Sequence, residues 1–176
     1  VGVLNANWGE GWDRHFRLFS FTPVAAASIG QVHRAQTIDG QHLAVKIQYP
    51  GVRQSISSDV DNVATLLRLS GLLPPGLDLA PLMDEAKLQL HAEADYLREG
   101  ACLRRYGALL AEESEAARPE LHAALTTESV LAMSYVEGVP IESLADAPQA
   151  DRDRMARLLF KLLFRDLFEF RLIQTD

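Results

Sequence analysis

The chain has 176 residues, of which 48% are hydrophobic, and a formal net charge of −7 at pH 7. This length and apolar content are enough for a buried core in one or two domains. The acidic balance argues against a nucleic-acid-binding protein, which usually carries a basic face. A single cysteine, Cys102, excludes an internal disulfide framework and suits a reducing compartment. No apolar run approaches the ~20 residues that a membrane-spanning helix needs.

The N-terminal part of the chain predicts a short helix followed by three strands. Residues 8–19 place aromatic side chains on one side of a helix. Strands are expected at residues 19–22 and 30–37, on either side of an alanine-rich loop. The Asp39-Gly40 pair is typical of a two-residue hairpin turn, because both residues tolerate positive φ. This turn leads into a third strand over residues 42–49.

Alternation along the third predicted strand sorts its side chains onto two faces. Val45 and Ile47 lie on one face, whereas Ala44 and Lys46 share the other. If the Val45 face is buried in the core, Lys46 points into a cleft.

Helices are predicted for most of the remaining chain. The first covers residues 52–70, and Pro81 suits the first turn of a long helix that continues to about residue 113. A strand follows near residues 129–136. An amphipathic helix then covers residues 151–170, and we interpret its apolar stripe as core rather than as a lipid-binding surface. The side chains of this helix that are expected to face a core are Met155, Leu158, Leu159, Leu162 and Leu163.

The run between the first two strands has the spacing of a kinase phosphate-binding loop. That loop reads G-x-G-x-x-G-x-V, and this chain reads Ala25-x-Ala27-x-x-Gly30-x-Val32. Small residues allow backbone N–H groups to approach phosphates closely, although alanine, unlike glycine, disfavours positive φ. Together with Lys46, whose ammonium group suits phosphate oxygens, the run predicts a nucleotide-binding site.

Four motifs in this order resemble the UbiB-type atypical kinases, also called aarF-domain kinases. The motifs are AAASIGQVHRA, AVKIQYPGV, EADYLRE and QTD, and the resemblance extends from about Trp12 to Asp176. It implies an α+β, protein-kinase-like fold that binds ATP or ADP with Mg²⁺. It also implies ATP hydrolysis in support of ubiquinone (coenzyme Q) biosynthesis, with little evidence of ordinary protein phosphorylation.

The resemblance also divides the chain into lobes. Residues 1–133 correspond to the N-lobe, an antiparallel sheet with a short N-terminal helix and an inserted helix. Residues 134–176 correspond to the hinge and the start of the helical C-lobe. The catalytic-loop Asn, the Asp-Phe-Gly segment and most Mg²⁺ ligands would follow Asp176, and a regulatory extension would precede Val1. We therefore expect a piece of a longer protein that is inert by itself.

Individual roles follow from matching the motifs residue by residue. Lys46 corresponds to the phosphate-contacting lysine, Glu99 to the helix glutamate that pairs with it, and Asp176 to the catalytic-loop aspartate. Glu93 and Asp95 match the regulatory E-x-D motif, which in relatives engages the N-terminal extension. Residues 133–136 resemble the interlobe hinge. The residues expected to bind the nucleotide are Ala25, Ala26, Ala27, Ser28, Gly30, Val32, Ala44, Lys46, Met133, Ser134 and Val136.

Simpler interpretations and other functions remain open at this stage. A lysine in a Val/Ile-rich strand is usually a solvated edge residue, and the three helix acids are also consistent with an ordinary charged face beside Arg98. The functional alternatives are a nucleotide-binding pseudokinase scaffold and a small-molecule phosphotransferase of the aminoglycoside or choline kinase type. The phosphoryl acceptor is not predicted by the sequence.

The resemblance also implies partners and a location. Beyond an adenine nucleotide, the expected partners are quinone-biosynthesis proteins, an isoprenoid lipid and a membrane surface, and no nucleic acid is expected. The expected location is the bacterial cytoplasm, with peripheral association to a membrane, or the mitochondrial matrix in a eukaryote.

Overall fold

A four-stranded antiparallel sheet with helices on both sides gives the chain the α+β architecture that the sequence predicted. The strands lie in sequence order: β1 (Phe16–Ala27), β2 (Gly30–Thr37), β3 (His42–Gln48) and β4 (Val130–Ser134). The computed structural model describes residues 1–71, 74, 76–111 and 117–172.

The chain divides into two compact units. Unit 1 comprises Val1–Arg104 and Pro119–Tyr135, and it contains the whole sheet. Unit 2 comprises Arg105–Arg118 and Val136–Asp176. The lobe boundary between residues 133 and 134 stays a prediction.

The N-terminal helix lies earlier in the chain than the sequence predicted. Helix α1 covers Gly2–Trp8, a 3₁₀ turn covers Trp12–His15, and β1 begins directly afterwards. Gly9 and Gly11 adopt positive φ, which ends α1 and prevents one helix from running through residues 8–19. The prediction of a helix at residues 8–19 is therefore wrong.

The aromatic residues of this region form a cluster instead of a helix face. The ring centroids of Trp8, Trp12, Phe16 and Phe19 lie between 4.9 and 5.9 Å apart in neighbouring pairs. A register shift in β1 after Phe16 allows Phe16 and Phe19, three residues apart, to reach the same cluster. This cluster covers one face of the sheet, where Val45 is fully buried, as the predicted alternation requires.

The opposite face of the sheet has a second, smaller core. Its buried members are Ile29, Ile56, Ala94, Tyr96 and Leu131. They come from the β1–β2 turn, from helix α2 (Val52–Ser70), from the residue before Asp95, from the start of α4 (Tyr96–Leu109) and from β4. Helix α2 has the predicted bounds, and Gly71 ends it at φ 68.

The predicted alanine loop is mostly strand. Ala25 pairs with Val32 and Ala27 pairs with Gly30, so only Ser28 and Ile29 form the turn. Because alanine disfavours positive φ, the run continues in the extended conformation until the two-residue turn. A turn lies at Asp39-Gly40, but the prediction of a two-residue turn is wrong, because β2 ends at Thr37 and β3 begins at His42, and of the pair only Gly40 has positive φ (91°).

The long helix predicted from Pro81 is two helices. Helix α3 covers Ala80–Glu93, with Pro81 in its first turn, and α4 begins at Tyr96. Asp95 lies at the break, where its carboxylate accepts a hydrogen bond from the backbone amide of Arg98 (3.0 Å). An aspartate in this position caps a new helix. The predicted end near residue 113 lies outside the described residues.

Unit 2 contains α5 (Gln149–Arg165), which continues as a π-helical turn, Asp166–Phe170. Leu159 and Leu163 are 45% and 43% exposed, so the prediction that they face a core is wrong for the described chain. None of the helices described is both long and apolar enough to cross a bilayer.

We predict that Gly30→Ala destabilises unit 1 by about 1–3 kcal/mol, because a side chain at this buried position overpacks the sheet. A Cβ atom on Gly30 would collide with the carbonyl oxygen of Ile47 and lie 3.1 Å from the Tyr96 hydroxyl. Thermal or urea denaturation measures the loss.

Gly107→Ala is the matched control for this prediction. In α4 a Cβ atom on Gly107 meets its nearest neighbours at 3.8 Å, which is ordinary contact. Replacing glycine by alanine inside a helix stabilises by about 0.5–1 kcal/mol. Equal effects of the two substitutions would contradict the packing role of Gly30.

Candidate functional site

The strand register brings several predicted site residues onto one face of the sheet. Ala25 pairs with Val32, Val32 with Lys46, and Lys46 with Leu131, which gives one row across all four strands. Residues paired directly across an antiparallel sheet project to the same side. Ala44, two residues before Lys46, lies on this side as well. The Lys46 ammonium is thus framed by small and apolar side chains.

Lys46 forms an ion pair with Glu99, its predicted partner. The Lys46 Nζ atom lies 2.9 Å and 3.0 Å from the two carboxylate oxygens of Glu99. The two side chains are 17% and 37% exposed, so the pair is partly removed from water. Glu99 lies in the first turn of α4, where the positive end of the helix dipole favours a carboxylate.

Tyr96 contacts the lysine of this pair. The sequence did not single out Tyr96 as a site residue. Its ring centroid is 4.8 Å from Lys46 Nζ, and its side chain is fully buried. Burial, followed by the negative charges of Glu99 and Glu93, raises the pKa of the Tyr96 phenol above its usual value of 10.0. Its hydroxyl has no hydrogen-bond partner among the described residues. The signal that could have located Tyr96 was Asp95, since a helix capped there begins at Tyr96.

The β1–β2 turn is fixed at both of its residues. The Ser28 hydroxyl donates a hydrogen bond to the Glu93 carboxylate, which lies at the end of α3. Ile29 is buried in the second core, and its carbonyl accepts a hydrogen bond from the Tyr49 amide (2.9 Å). Hydrogen bonds therefore attach the β1–β2 turn to the end of α3 and to Tyr49, the residue that follows β3.

The two acids of the E-x-D motif have different contacts. Glu93 accepts the hydrogen bond from Ser28, whereas Asp95 caps α4 through the Arg98 amide. Between them, the carbonyl of Ala94 accepts a hydrogen bond from Gln48 Nε2 (2.6 Å). The motif thus attaches the helix break to two parts of the sheet.

The predicted hinge residues are placed as follows. Met133 pairs with Ala44 and packs against the second core. The Ser134 amide donates to the Glu120 carbonyl (2.8 Å), and the Ser134 hydroxyl accepts from the Glu120 amide (2.8 Å). Val136 is exposed and belongs to unit 2. Its part in nucleotide binding stays a prediction.

Two further predicted features concern the catalytic aspartate and the metal. Asp176 lies outside the described residues. Within the described ranges, no group of three or more His, Cys, Asp or Glu side chains is placed to hold a metal ion.

A small antiparallel sheet whose central strand carries a lysine paired with a helix glutamate is the arrangement of the kinase-like fold. A family model described as "ABC1 atypical kinase-like domain" matches residues 1–176. The chain belongs to this family of atypical kinases.

Curated relatives agree with this assignment. The chain is 37% identical over 169 residues to atypical kinase coq-8, mitochondrial, of Caenorhabditis elegans, covering 96% of the chain and 22% of that protein. It is 40% identical over 174 residues to atypical kinase COQ8B, mitochondrial, of Rattus norvegicus, covering 99% and 33%. The chain thus spans a third or less of the length of these two relatives. The predicted resemblance to the UbiB-type kinases is confirmed.

A solved structure shares the fold. The complex structure of Rv3197–erythromycin from Mycobacterium tuberculosis is similar with a TM-score of 0.77 and 32% sequence identity. The match covers 94% of this chain and 42% of that one.

We predict that Asp95→Ala lowers the free energy of unfolding by about 0.5–2 kcal/mol, because the first turn of α4 loses its cap. Asp95→Asn retains an oxygen acceptor and is expected to retain most of the stability. Urea denaturation of both variants checks this prediction. Equal losses in the two variants would indicate that the charge of Asp95, rather than its hydrogen bond, stabilises the helix.

Proposed function

We propose that unit 1 binds the phosphates of ATP or ADP through Lys46, and that the protein is an atypical kinase or ATPase of the UbiB type. The observation that supports this most directly is the Lys46–Glu99 ion pair, in a cross-strand row whose other members are Ala25, Val32 and Leu131. A lysine ammonium has three N–H donors, and a carboxylate at this position holds it in place when no nucleotide is bound.

The residues around Lys46 suit a nucleotide. The small side chains of Ala25, Ala27 and Ala44 leave room beside the ammonium, on the side of the sheet that Lys46 occupies. We propose that Val32 and Ala44 contact the adenine ring, because small apolar side chains suit a flat heterocycle. Met133 lies next to Ala44 on the same face and completes this surface.

Polar contacts to the nucleotide would come from the backbone. Around the β1–β2 turn we propose the amides of residues 25–28 and Gly30 as phosphate contacts. The Ser134 amide already donates to Glu120, so we propose that Ser134 contacts the adenine edge through its carbonyl oxygen.

Mg²⁺ belongs to the proposed activity as a cofactor of the nucleotide. When bound, it would neutralise charge on the phosphate oxygens. Asp176 is proposed as the catalytic carboxylate, and we assign no described residue as a metal ligand. Lys46, paired with Glu99, would orient the phosphates independently of the metal.

The wider role of the protein is proposed from its family. The similarity to COQ8 atypical kinases supports a role in ubiquinone biosynthesis, with an adenine nucleotide as ligand. The mitochondrial names of these relatives support a mitochondrial location if the source is eukaryotic. Glu93 and Asp95 are proposed as a regulatory element, because Glu93 holds the turn beside the site.

We predict that Lys46→Ala weakens ATP and ADP binding at least tenfold, measured by isothermal titration calorimetry on the protein in its full natural length. The substitution removes the ammonium from a partly buried site, and the nucleotide phosphate therefore loses a charge-assisted hydrogen bond. Glu99→Gln is expected to have a smaller effect, because it leaves the ammonium in place but holds it less firmly.

Lys87→Ala is the matched control for Lys46→Ala. Lys87 is also paired with an acid, Asp61 (2.6 Å), but it lies on α3 rather than on the sheet. Nucleotide binding by this variant should equal that of the unaltered protein. Binding that survives Lys46→Ala unchanged would contradict the proposed function, whereas binding without ATP turnover would favour the pseudokinase alternative.

We predict that Ala44→Leu blocks nucleotide binding with little loss of fold stability, because the added side chain fills the proposed adenine surface. The nucleotide-dependent increase in thermal midpoint should disappear in this variant. Ala101→Leu, at an exposed position of α4, is the control and should keep the full increase. An equal increase in both variants would place the adenine elsewhere.

A further inference from the structure

We propose that Tyr96 is a positioning residue for Lys46, and that its aromatic ring, not its hydroxyl, holds the ammonium in place to contact a nucleotide phosphate. This inference rests on the proposed function, since it explains how the phosphate-contacting lysine is held. No motif of the sequence analysis assigned Tyr96 a role. The residue is singled out by its contacts alone.

The ring and the carboxylate together hold the Lys46 ammonium from two directions. The Nζ atom lies 4.8 Å from the Tyr96 ring centroid and within 3.0 Å of both Glu99 oxygens. A cation near an aromatic ring is attracted by the negative charge of the ring face. The attraction is stronger where water is excluded, and the Lys46 side chain is 17% exposed while Tyr96 is fully buried.

Tyr96 is itself held rigidly, which a positioning residue requires. It is one of the largest fully buried side chains of the described chain, and it packs with Ile29, Ala94 and Leu131 in the second core. It occupies the first position of α4, directly after the Asp95 cap. A ring fixed by packing restricts the flexible lysine side chain before a ligand arrives, so less conformational entropy is lost on binding.

The hydroxyl of Tyr96 does not take part in the proposed contact with Lys46. It is buried without a hydrogen-bond partner among the described residues. It lies 3.1 Å from the position that a Cβ atom on Gly30 would occupy. An unpaired buried hydroxyl contributes no hydrogen bond, and its removal without a change of shape is neutral or stabilising. Tyr96→Phe therefore keeps the proposed interaction, whereas Tyr96→Leu removes it.

The test is a double-mutant cycle on the protein in its full natural length, with ADP as the probe and its dissociation constant as the readout. We expect Tyr96→Phe to bind ADP within about twofold of the unaltered protein, and Tyr96→Leu to bind about tenfold more weakly, as loss of a desolvated cation–π contact implies. In the Lys46→Ala background, Tyr96→Leu should cause no further loss. A merely structural role would weaken binding in both backgrounds, because it does not act through the ammonium.

A second measurement tests the same role of Tyr96 without requiring that the Tyr96→Leu variant folds normally. Fluorinated phenylalanines at position 96 keep the shape of the ring, but each fluorine withdraws electron density and so reduces the negative charge on the ring face. ADP affinity should fall stepwise with each added fluorine while the thermal midpoint stays constant. Affinity that ignores fluorination, or that falls as much in Tyr96→Phe as in Tyr96→Leu, would overturn the positioning role.

The cycle also separates this inference from the function on which it rests. ADP binding that requires Lys46 but is indifferent to the ring at position 96 overturns the role of Tyr96 and leaves the proposed function intact. Failure of the unaltered protein to bind ADP overturns both.

Discussion

The contact on which the arrangement of unit 1 depends is the ion pair between Lys46 of β3 and Glu99 of α4. It joins a residue in the middle of the sheet to the first turn of α4, which begins at Tyr96, three residues after α3 ends at Glu93. Burying a charge is costly unless it is paired, so the Glu99 carboxylate on α4 offsets the cost of keeping Lys46 partly buried on this face. The position of α4 is therefore constrained by electrostatics as well as by packing.

The seven residues from Glu93 to Glu99 supply most of the polar contacts between the helices and this face. Glu93 binds the turn through Ser28, the Ala94 carbonyl binds Gln48, and Glu99 binds Lys46. These three contacts lie along the β1–β2 turn and strand β3. A displacement of the helix break would therefore alter the turn and the lysine together. This coupling is the physical basis for proposing the E-x-D pair as a regulatory element.

Much of the sheet could be predicted because its signals are local. Alternation separated Val45 from Lys46, and Asp39-Gly40 marked a turn, whereas the pairing of Lys46 with Glu99 was implied by the resemblance to the kinase family. The break at Ala94 was not predictable from breakers, since the run has neither glycine nor proline there. Only Asp95, as a helix cap, indicated it. The exposed Leu163 shows the opposite limit, because periodicity identifies an apolar face but not what covers it.

Gly30 shows how one residue of a motif can satisfy two constraints at once. In the sequence it occupies the last glycine position of a phosphate-loop pattern, where small size allows close approach to a ligand. In the structure it is buried at the start of β2, against the Ile47 carbonyl and the Tyr96 hydroxyl. The alanines at positions 25 and 27 are less buried than Gly30, since Ala25 is exposed and Ala27 is half-buried. Close packing against the Ile47 carbonyl, and to a lesser extent against Tyr96, thus explains why this position excludes a side chain while the other two tolerate a methyl group.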